Sequence, residues 1–157
     1  MHKGKRKVSG TGMFGKAIVH GLLQRGTEVR CAVVSDHKRP TLHARIRENV
    51  EPGTALYTDS LSSYDGLDEY ARGVVNHAKS YVEGRVHVNG LENFWSLLKR
   101  ALHGTYVAVA PDHLDRYLDE QTFRFNKRKG NDASRFLEAM LSVDGKRLTY
   151  KALTQSV

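Results

Sequence analysis

Apolar residues in the first half of the chain occur in short runs separated by polar turn residues. Two runs, Ala17–Leu23 and Val29–Val34, flank the polar segment Gln24-Arg25-Gly26-Thr27, and this arrangement predicts a β-hairpin. Pro40 then stands where a helix would begin, and leucine, isoleucine and valine follow at spacings of four residues. The pattern therefore predicts a helix over residues 40–49, which ends before a Pro-Gly pair.

Two further strands are predicted after that helix. The short run Ala55–Thr58 ends at Asp59, and residues 73–76 form a second candidate strand after a stretch of small and acidic residues. An acidic residue at the end of an apolar strand is a position from which a carboxylate can reach a site at the edge of a sheet.

Beyond residue 88 the apolar residues recur with the period of an amphipathic helix. Counted at about 100° per residue from Leu91, four apolar side chains fall within about 60° of it, namely Phe94, Trp95, Leu98 and Leu102. A polar sector lies roughly 80–160° around the same helix and contains Asn89, Glu92, Ser96, Lys99 and His103. The helix is therefore predicted to present one face to the core and a separate polar face.

Two more helices are predicted downstream. Pro111 begins one, with a buried stripe predicted at Leu114, Tyr117, Leu118, Gln121 and Phe125. Asp132 is the predicted N-cap of another, which carries Phe136, Leu137, Met140 and Leu141. This order of strands and helices favours an α/β fold with a mixed sheet. We expect a domain over residues 16–143, between a basic glycine-rich segment at 1–15 and a tail at 144–157.

The composition favours a soluble protein that binds nucleic acid. The 157-residue chain has no run of 18 apolar residues, no apolar signal-peptide core and a single cysteine, so we expect a cytoplasmic protein without disulfide bonds. Its net charge of +8 favours nucleic acid as a partner, because Lys and Arg release counterions from phosphates. Basic residues cluster at Lys3–Lys7, Lys99–Arg100 and Lys127–Lys129. The alternative is a soluble protein that is merely basic.

A glycine motif near the N-terminus points to a different function. Gly10–Gly15 matches G-x-G-x-x-G, and Asp36 follows at the distance of a ribose-binding acid. The motif requires a buried strand immediately before the first glycine, whereas the preceding residues here are mostly charged. We therefore favour a glycine-rich connection into a strand and keep dinucleotide binding as the less favoured alternative.

Asp59 and Glu92 together are typical of a metal site for phosphoryl transfer. Such sites place carboxylates on rigid elements, and Mg²⁺ accepts a few carboxylates because it retains several waters. Lys99 lies two turns after Glu92 on the same face and is positioned to hold a DNA phosphate, and Asn89 is a further oxygen ligand or substrate contact. The alternatives are that Asp59 is a turn or cap residue and that Glu92 and Lys99 are solvated helix charges.

Longer stretches around these acids resemble a known family. The segment YTDSLSSYDGL contains Asp59 and YVEGRVHVNGLENFWSLLKRALHGTY contains Glu92, and both are similar to the transposase domain of ISXO-type insertion sequences. KRPTLHARIRENVEPGTALYTD and PDHLDRYLDEQTFRFNKR match as well. The resemblance covers His2 to Phe136. It implies a bacterial or archaeal mobile-element protein of the DDE superfamily, with an RNase H-like mixed sheet and flanking helices.

The resemblance also implies site residues and partners. Asp59 would be the second catalytic acid and Glu92 the third, both ligands of Mg²⁺ or Mn²⁺, with Lys99 as the associated basic residue. Members of the family differ over whether Asn or Glu fills the third place, so Asn89 remains a competing candidate. The expected partners are the DNA of the element ends and target, and the active parent is expected to be a homo-oligomer. The expected DNA-binding residues are Lys99, Arg100, Arg124, Lys127 and Arg128.

One departure from the family concerns its first aspartate, which lies on an opening strand upstream of the basic HKGK segment. This sequence starts at that segment, and Asp36 is a poor substitute because it stands ahead of the predicted helix. We therefore expect a truncated transposase domain that lacks its first strand. Little or no activity is expected from it alone, because a missing carboxylate leaves a metal ion weakly held. The alternative is a non-catalytic DNA-binding remnant.

Overall fold

A computed structural model describes residues 16–75, 89–106 and 109–154 of the chain. The glycine motif Gly10–Gly15, the basic cluster Lys3–Lys7 and the side chain of Asn89 lie outside that description. None of the described helices has the length and apolar composition needed to cross a lipid bilayer.

The predicted hairpin is confirmed. Strand β1 (Ile18–Leu23) pairs antiparallel with β2 (Val29–Val34), and Leu22 lies opposite Arg30 in the register. The turn contains Gly26 at a φ of 76°, in the left-handed region that residues with a Cβ rarely adopt. The described chain therefore passes from Lys16 directly into a strand and not into the helix that a dinucleotide-binding glycine loop requires.

The next three elements form a second unit of the fold. Helix α1 (Arg39–Asn49) and strand β3 (Ala55–Thr58) agree with the predictions, and β4 (Ala71–Val74) pairs parallel with β3. The strand predicted at 73–76 therefore begins two residues earlier than expected. Between the strands the chain contains a 3-10 turn, Ser62–Tyr64, in the long connection that a parallel pair requires.

Four helices complete the described chain. Helix α2 (Asn89–Arg100) continues into a π-helical turn over Ala101–Thr105, and a 3-10 turn at Pro111–His113 leads into α3 (Leu114–Asn126). Helix α4 spans Asp132–Ser142, and a short helix α5 (Tyr150–Thr154) lies in the segment that was expected to be an unpatterned tail.

The core consists of two hydrophobic clusters. The first joins β2, α2 and α3, and its aromatic rings Phe94 and Phe125 meet edge to face with centroids 5.2 Å apart. Its buried members are Val29, Phe94, Leu98, Leu118 and Phe125. The second joins α1, β3 and the β3–β4 connection through Ile46, Leu56, Leu67 and Tyr70, with Leu22 of β1 packed against it.

Helix α4 departs from the prediction in its N-cap. The cap is Asn131, whose side chain accepts a hydrogen bond from Ser134 N at 2.8 Å, and not Asp132. Asp132 is the first helical residue and pairs with Arg135 instead. The apolar stripe is present but exposed, with 70% of Leu141 accessible, because no described element packs over it.

The α/β class is confirmed, but the described strands do not form one mixed sheet. They form two separate two-stranded sheets, one antiparallel (β1–β2) and one parallel (β3–β4). Strands β1 and β3 do not pair with each other, so each has one edge outside any described ladder.

The outer edge of β2 is covered by polar side chains of α3. Asn126 accepts a hydrogen bond from Val29 N at 2.7 Å through Oδ1 and donates one to Val29 O at 2.9 Å through Nδ2. Farther along the strand, Asp115 accepts a hydrogen bond from Val33 N at 3.2 Å. The amide of Asn126 therefore takes the place of a neighbouring strand at a position where Val29 has no solvent exposure.

We predict that Asn126→Ala lowers the free energy of unfolding by about 1–3 kcal/mol, because it leaves two backbone groups of Val29 buried without partners. Asn126→Asp should also destabilise, since a carboxylate cannot donate to Val29 O. The measurement is urea denaturation, with the exposed helical Asn93→Ala as the matched control. Equal stability of Asn126→Ala and the control would contradict this role for the side chain.

Candidate functional site

A cavity of about 260 Å³ lies between the two sheets. Residues of β1 and β3 line the cavity, and α1 and α2 contribute further lining residues. The lining residues from the two strands are His20, Gly21, Leu22, Leu56, Tyr57, Thr58 and Asp59. The helices and the β3–β4 connection add Ile46, Tyr64, Leu91, Glu92 and Trp95. The cavity therefore contains both acids of the predicted site.

Asp59 follows the last residue of β3, where hydrogen bonds fix the backbone. Its Oδ1 accepts a hydrogen bond from Leu61 N at 3.1 Å, and its carbonyl accepts one from Thr58 Oγ1 at 2.9 Å. Arg72 on β4 donates to the same Thr58 hydroxyl at 3.1 Å. One carboxylate oxygen is thus used in a turn, while Oδ2 has no donor among the described residues. The turn and the metal-binding interpretations are compatible in this geometry.

Glu92 lies in the first turn of α2 and is exposed beside the cavity. The helix holds it there because Phe94 and Leu98 bury the other face in the core. Lys99 is exposed on the face of Glu92, about 10 Å farther along the helix, and it does not line the cavity. The structure thus brings Asp59 and Glu92 to one cavity, with Lys99 beyond its edge.

His20 and Tyr64 are cavity residues that the sequence reasoning missed. Their ring centroids are 6.4 Å apart, and His20 is buried on β1. Burial, and secondarily the charge of Arg45, lowers the pKa of His20 and favours the neutral imidazole. Burial, and secondarily the charge of Asp59, raises the pKa of Tyr64 to about 12. A histidine inside the apolar run IVHGLL was the available signal for His20.

The carboxylate oxygens of Asp59 and Glu92 meet part of what a hard divalent cation requires. Two carboxylates can bind one Mg²⁺ that keeps its remaining positions for water. Within residues 16–75, 89–106 and 109–154, no three His, Cys, Asp or Glu side chains are close enough to hold an ion together. The described residues therefore place two carboxylates at the cavity and do not form a complete protein cage for an ion.

Several of the predicted DNA-binding cations make contacts within the protein. Arg124 pairs with Glu120 at 2.9 Å, and Lys127 pairs with Glu138. Arg128 donates to the carbonyl of Phe125 at 2.8 Å and lies 4.2 Å from the centroid of that ring. Arg128 therefore stabilises the end of α3, whereas Lys99 and Arg100 are exposed on α2.

Asp36 has a structural role near the start of α1. It accepts a hydrogen bond from Lys38 N at 2.9 Å. A hydrogen bond from the Thr41 side chain, followed by the Lys38 backbone, holds its pKa below the usual range. Asp36, the acid that follows the glycine motif, thus makes local hydrogen bonds near the start of α1, and these explain its position without a bound ribose.

Comparison with known proteins identifies the family. The family model described as the ISXO2-like transposase domain matches residues 1–126. The chain belongs to the ISXO2-like transposase family. This agrees with the resemblance noted in the sequence.

Two relatives of the transposase domain come from a bacterium and an archaeon. A transposase-like protein of Haemophilus influenzae is 37% identical over 101 residues, which cover 63% of this chain and 81% of the relative. A protein in transposable element ISH50 of Halobacterium salinarum is 34% identical over 117 residues, which cover 69% of this chain but 38% of the relative. No solved structure matches the chain significantly.

The buried His20 predicts a dependence of stability on pH. Because its pKa is lowered in the fold, the unfolded chain binds a proton that the folded chain excludes as the pH falls below about 6.5. Stability should therefore fall with decreasing pH through that value, by up to about 1.4 kcal/mol per pH unit from this group. Denaturation between pH 5 and 7.5 should show a shallower dependence in His20→Gln. The exposed His37→Gln should retain the wild-type dependence, and an unchanged profile in His20→Gln would contradict the assignment.

Proposed function

We propose that the cavity between the sheets is the metal-binding part of a transposase site that cleaves and joins DNA. The observation that carries the proposal is that Asp59, at a strand end, and Glu92, on a packed helix, line the same cavity in a member of the ISXO2-like transposase family. The DDE chemistry and the RNase H-like arrangement implied by the sequence belong to this proposal.

The two acids would hold a Mg²⁺ or Mn²⁺ ion through carboxylate oxygens. Asp59 has Oδ2 available while Oδ1 fixes the turn, and Glu92 extends from a helix anchored by Phe94. The bound ion would activate the attacking oxygen and neutralise charge on the leaving oxygen. Asn89 stays a competing candidate for the place of Glu92, since α2 begins at Asn89.

The reaction we propose has two phosphoryl transfers. Water first attacks a phosphodiester at the element end and releases a 3′-hydroxyl. That hydroxyl then attacks a phosphodiester of target DNA, forming one P–O bond and breaking another without a net change in their number. Lys99, on the same helix face as Glu92, would hold the DNA backbone during these steps.

We further propose that this chain alone has little of that activity. The described residues bring two carboxylates to the cavity, and a loosely ligated ion positions the attacking oxygen poorly. A non-catalytic DNA-binding role is the second candidate, favoured by the net charge of +8. The two candidates differ in whether a divalent ion binds at Asp59.

The metal proposal predicts that Mn²⁺ broadens the backbone NMR signals of Thr58 and Asp59, because a paramagnetic ion between the carboxylates would lie next to them. Asp59→Asn and Glu92→Gln should each weaken this binding by about tenfold or more, since each removes a ligand charge. Asp36→Asn is the matched control, because that acid lies outside the cavity.

Absence of broadening near Asp59, or equal broadening in Asp59→Asn, would contradict the metal site. The same samples can be tested for Mg²⁺-dependent nicking of supercoiled DNA. Efficient nicking by the wild-type chain, abolished by Asp59→Asn, would contradict the proposed low activity.

The DNA-binding proposal predicts different effects for two cations. Lys99→Ala should weaken binding to duplex DNA and lower the slope of log K against log salt by about 1, as expected for one phosphate contact. Arg128→Ala should mainly lower thermal stability, because its guanidinium holds the end of α3. The measurement is fluorescence anisotropy over a salt series, with unfolding followed in parallel. A salt slope unchanged by Lys99→Ala would contradict the phosphate contact.

A further inference from the structure

Gly21 lies where helix α2 crosses strand β1. Val19 and Leu23, two residues to either side of it, pack against the first hydrophobic cluster, whereas Leu22 packs against the second. Because side chains alternate between the two faces of a strand, Gly21 shares the face of Val19 and Leu23, which is the face toward α2. The strand is therefore packed on both faces, with Gly21 on the face that receives the helix.

The indole ring of Trp95 occupies the space in front of Gly21. A Cβ atom at position 21 would lie 2.6 Å from Trp95 Cζ2, 2.8 Å from Trp95 Cη2 and 3.2 Å from Leu91 Cδ1. Carbon atoms in good contact are about 3.5–4.0 Å apart, so even an alanine would require the ring and the strand to separate by about 1 Å. The absence of a side chain at Gly21 therefore sets how closely α2 approaches β1.

The ring of Trp95 is also in contact with the aromatic core. It meets Phe94 with centroids 5.2 Å apart, and Phe94 in turn meets Phe125 at the same separation. These contacts restrict rotation of the indole, so a displacement of the ring is transmitted to the helix backbone. Strand β1 resists the displacement, because it pairs along its length with β2 and carries Leu22 into the second cluster.

Glu92 lies in the part of α2 that such a displacement would move. The two residues that touch the space in front of the glycine, Leu91 and Trp95, stand one position before and three positions after Glu92 on the helix. Phe94, which is only 1% exposed, anchors the helix in the core. A push at Leu91 and Trp95 therefore moves the first turn of α2, and with it the position of Glu92 relative to Asp59.

We propose that Gly21 is a positioning residue that fixes Glu92 at the cavity it shares with Asp59. It does so by letting the indole of Trp95 lie directly on the backbone of β1. The ligands of a metal site must be held within about 0.5 Å of the productive geometry, so a displacement of about 1 Å is large enough to matter. The effect on metal binding rests on the proposed function, whereas the position of the helix can be measured without metal.

Gly90 provides a reporter of the helix position that needs no metal. It lies in the first turn of α2, and a Cβ atom there would be 2.5 Å from Leu23 Cδ2 of β1, so its Hα protons should show a strong nuclear Overhauser effect to that methyl group. Gly21→Ala should weaken this effect severalfold, because the effect falls with the sixth power of distance and the first turn moves away from β1. An unchanged effect would overturn the proposal.

Gly104→Ala is the matched control. Gly104 is exposed in the π-helical turn that follows α2, and a Cβ atom there would meet no other atom within 4 Å. The variant makes the same chemical change without the contact, so it should retain both the Gly90–Leu23 effect and the Mn²⁺ binding of the wild type. An equal change in Gly104→Ala would show that the contact with Trp95 is not the cause, and it would overturn the proposal.

Metal binding tests whether the displacement acts through Glu92. Gly21→Ala should weaken Mn²⁺ binding, followed by the broadening of the Thr58 signal, by about tenfold or more, as is typical when a residue that supports a metal ligand is changed. In a Glu92→Gln background the same substitution should have no further effect, because the ligand that it misplaces is already lost. An equal loss in both backgrounds would indicate a general loosening of the fold and overturn the proposal.

A shorter aromatic side chain at position 95 should reverse the effect. The atoms of Trp95 that contact position 21 belong to the benzene ring of the indole, which extends farther from the backbone than phenylalanine does. Gly21→Ala combined with Trp95→Phe should therefore bind Mn²⁺ about as well as Trp95→Phe alone. Weaker binding by a folded double variant would overturn the proposal, and this comparison decides the question if Gly21→Ala alone does not fold.

Failure of this inference is distinguishable from failure of the proposed function. If the wild-type chain binds no Mn²⁺ at Asp59, the proposed metal site fails, while the Gly90–Leu23 effect still decides whether Gly21 fixes the first turn of α2. If the wild-type chain binds Mn²⁺ and Gly21→Ala binds it equally well, the metal site stands and the positioning role of Gly21 is overturned.

Discussion

The architecture of this transposase domain depends on how each strand edge satisfies its backbone hydrogen bonds. Buried N–H and C=O groups without partners are costly, so a strand must pair with another strand, receive side-chain partners or remain accessible. At β2 the side chain of Asn126 serves both backbone groups of Val29, which allows α3 to pack over the strand and complete the core around Phe125. At β1 and β3 the corresponding edges border a cavity, and the candidate site lies there.

Local patterns predicted the individual elements well. The hairpin around Gly26, helix α1 and the strand Ala55–Thr58 were predicted because turn residues, a proline at a helix start and short apolar runs act over a few residues. The cap of α4 was misplaced by one residue, since Asn131 and Asp132 are both good cap residues and only the hydrogen bond to Ser134 distinguishes them.

Long-range relations were predicted less well. The helical stripe with Phe94 and Leu98 is buried as expected, yet the equally periodic stripe with Leu141 is exposed, because periodicity does not specify whether a packing partner exists. The mixed sheet was expected from element order, which carries no information on whether β1 and β3 pair. His20 was missed because a single polar residue in a strand becomes informative only when its neighbours in space, Tyr64 and Arg45, are known.

The edge of β3 and the chemistry of the site are physically connected. Asp59 directly follows β3, and its carboxylate is positioned by backbone contacts with Thr58 and Leu61 at the end of that strand. On one side β3 is held by β4, where Arg72 also supports Thr58, and on the other side its backbone groups face the cavity. Because the ligands of a metal site must be held to within a fraction of an ångström, the contacts that order the end of β3 would also order the proposed site.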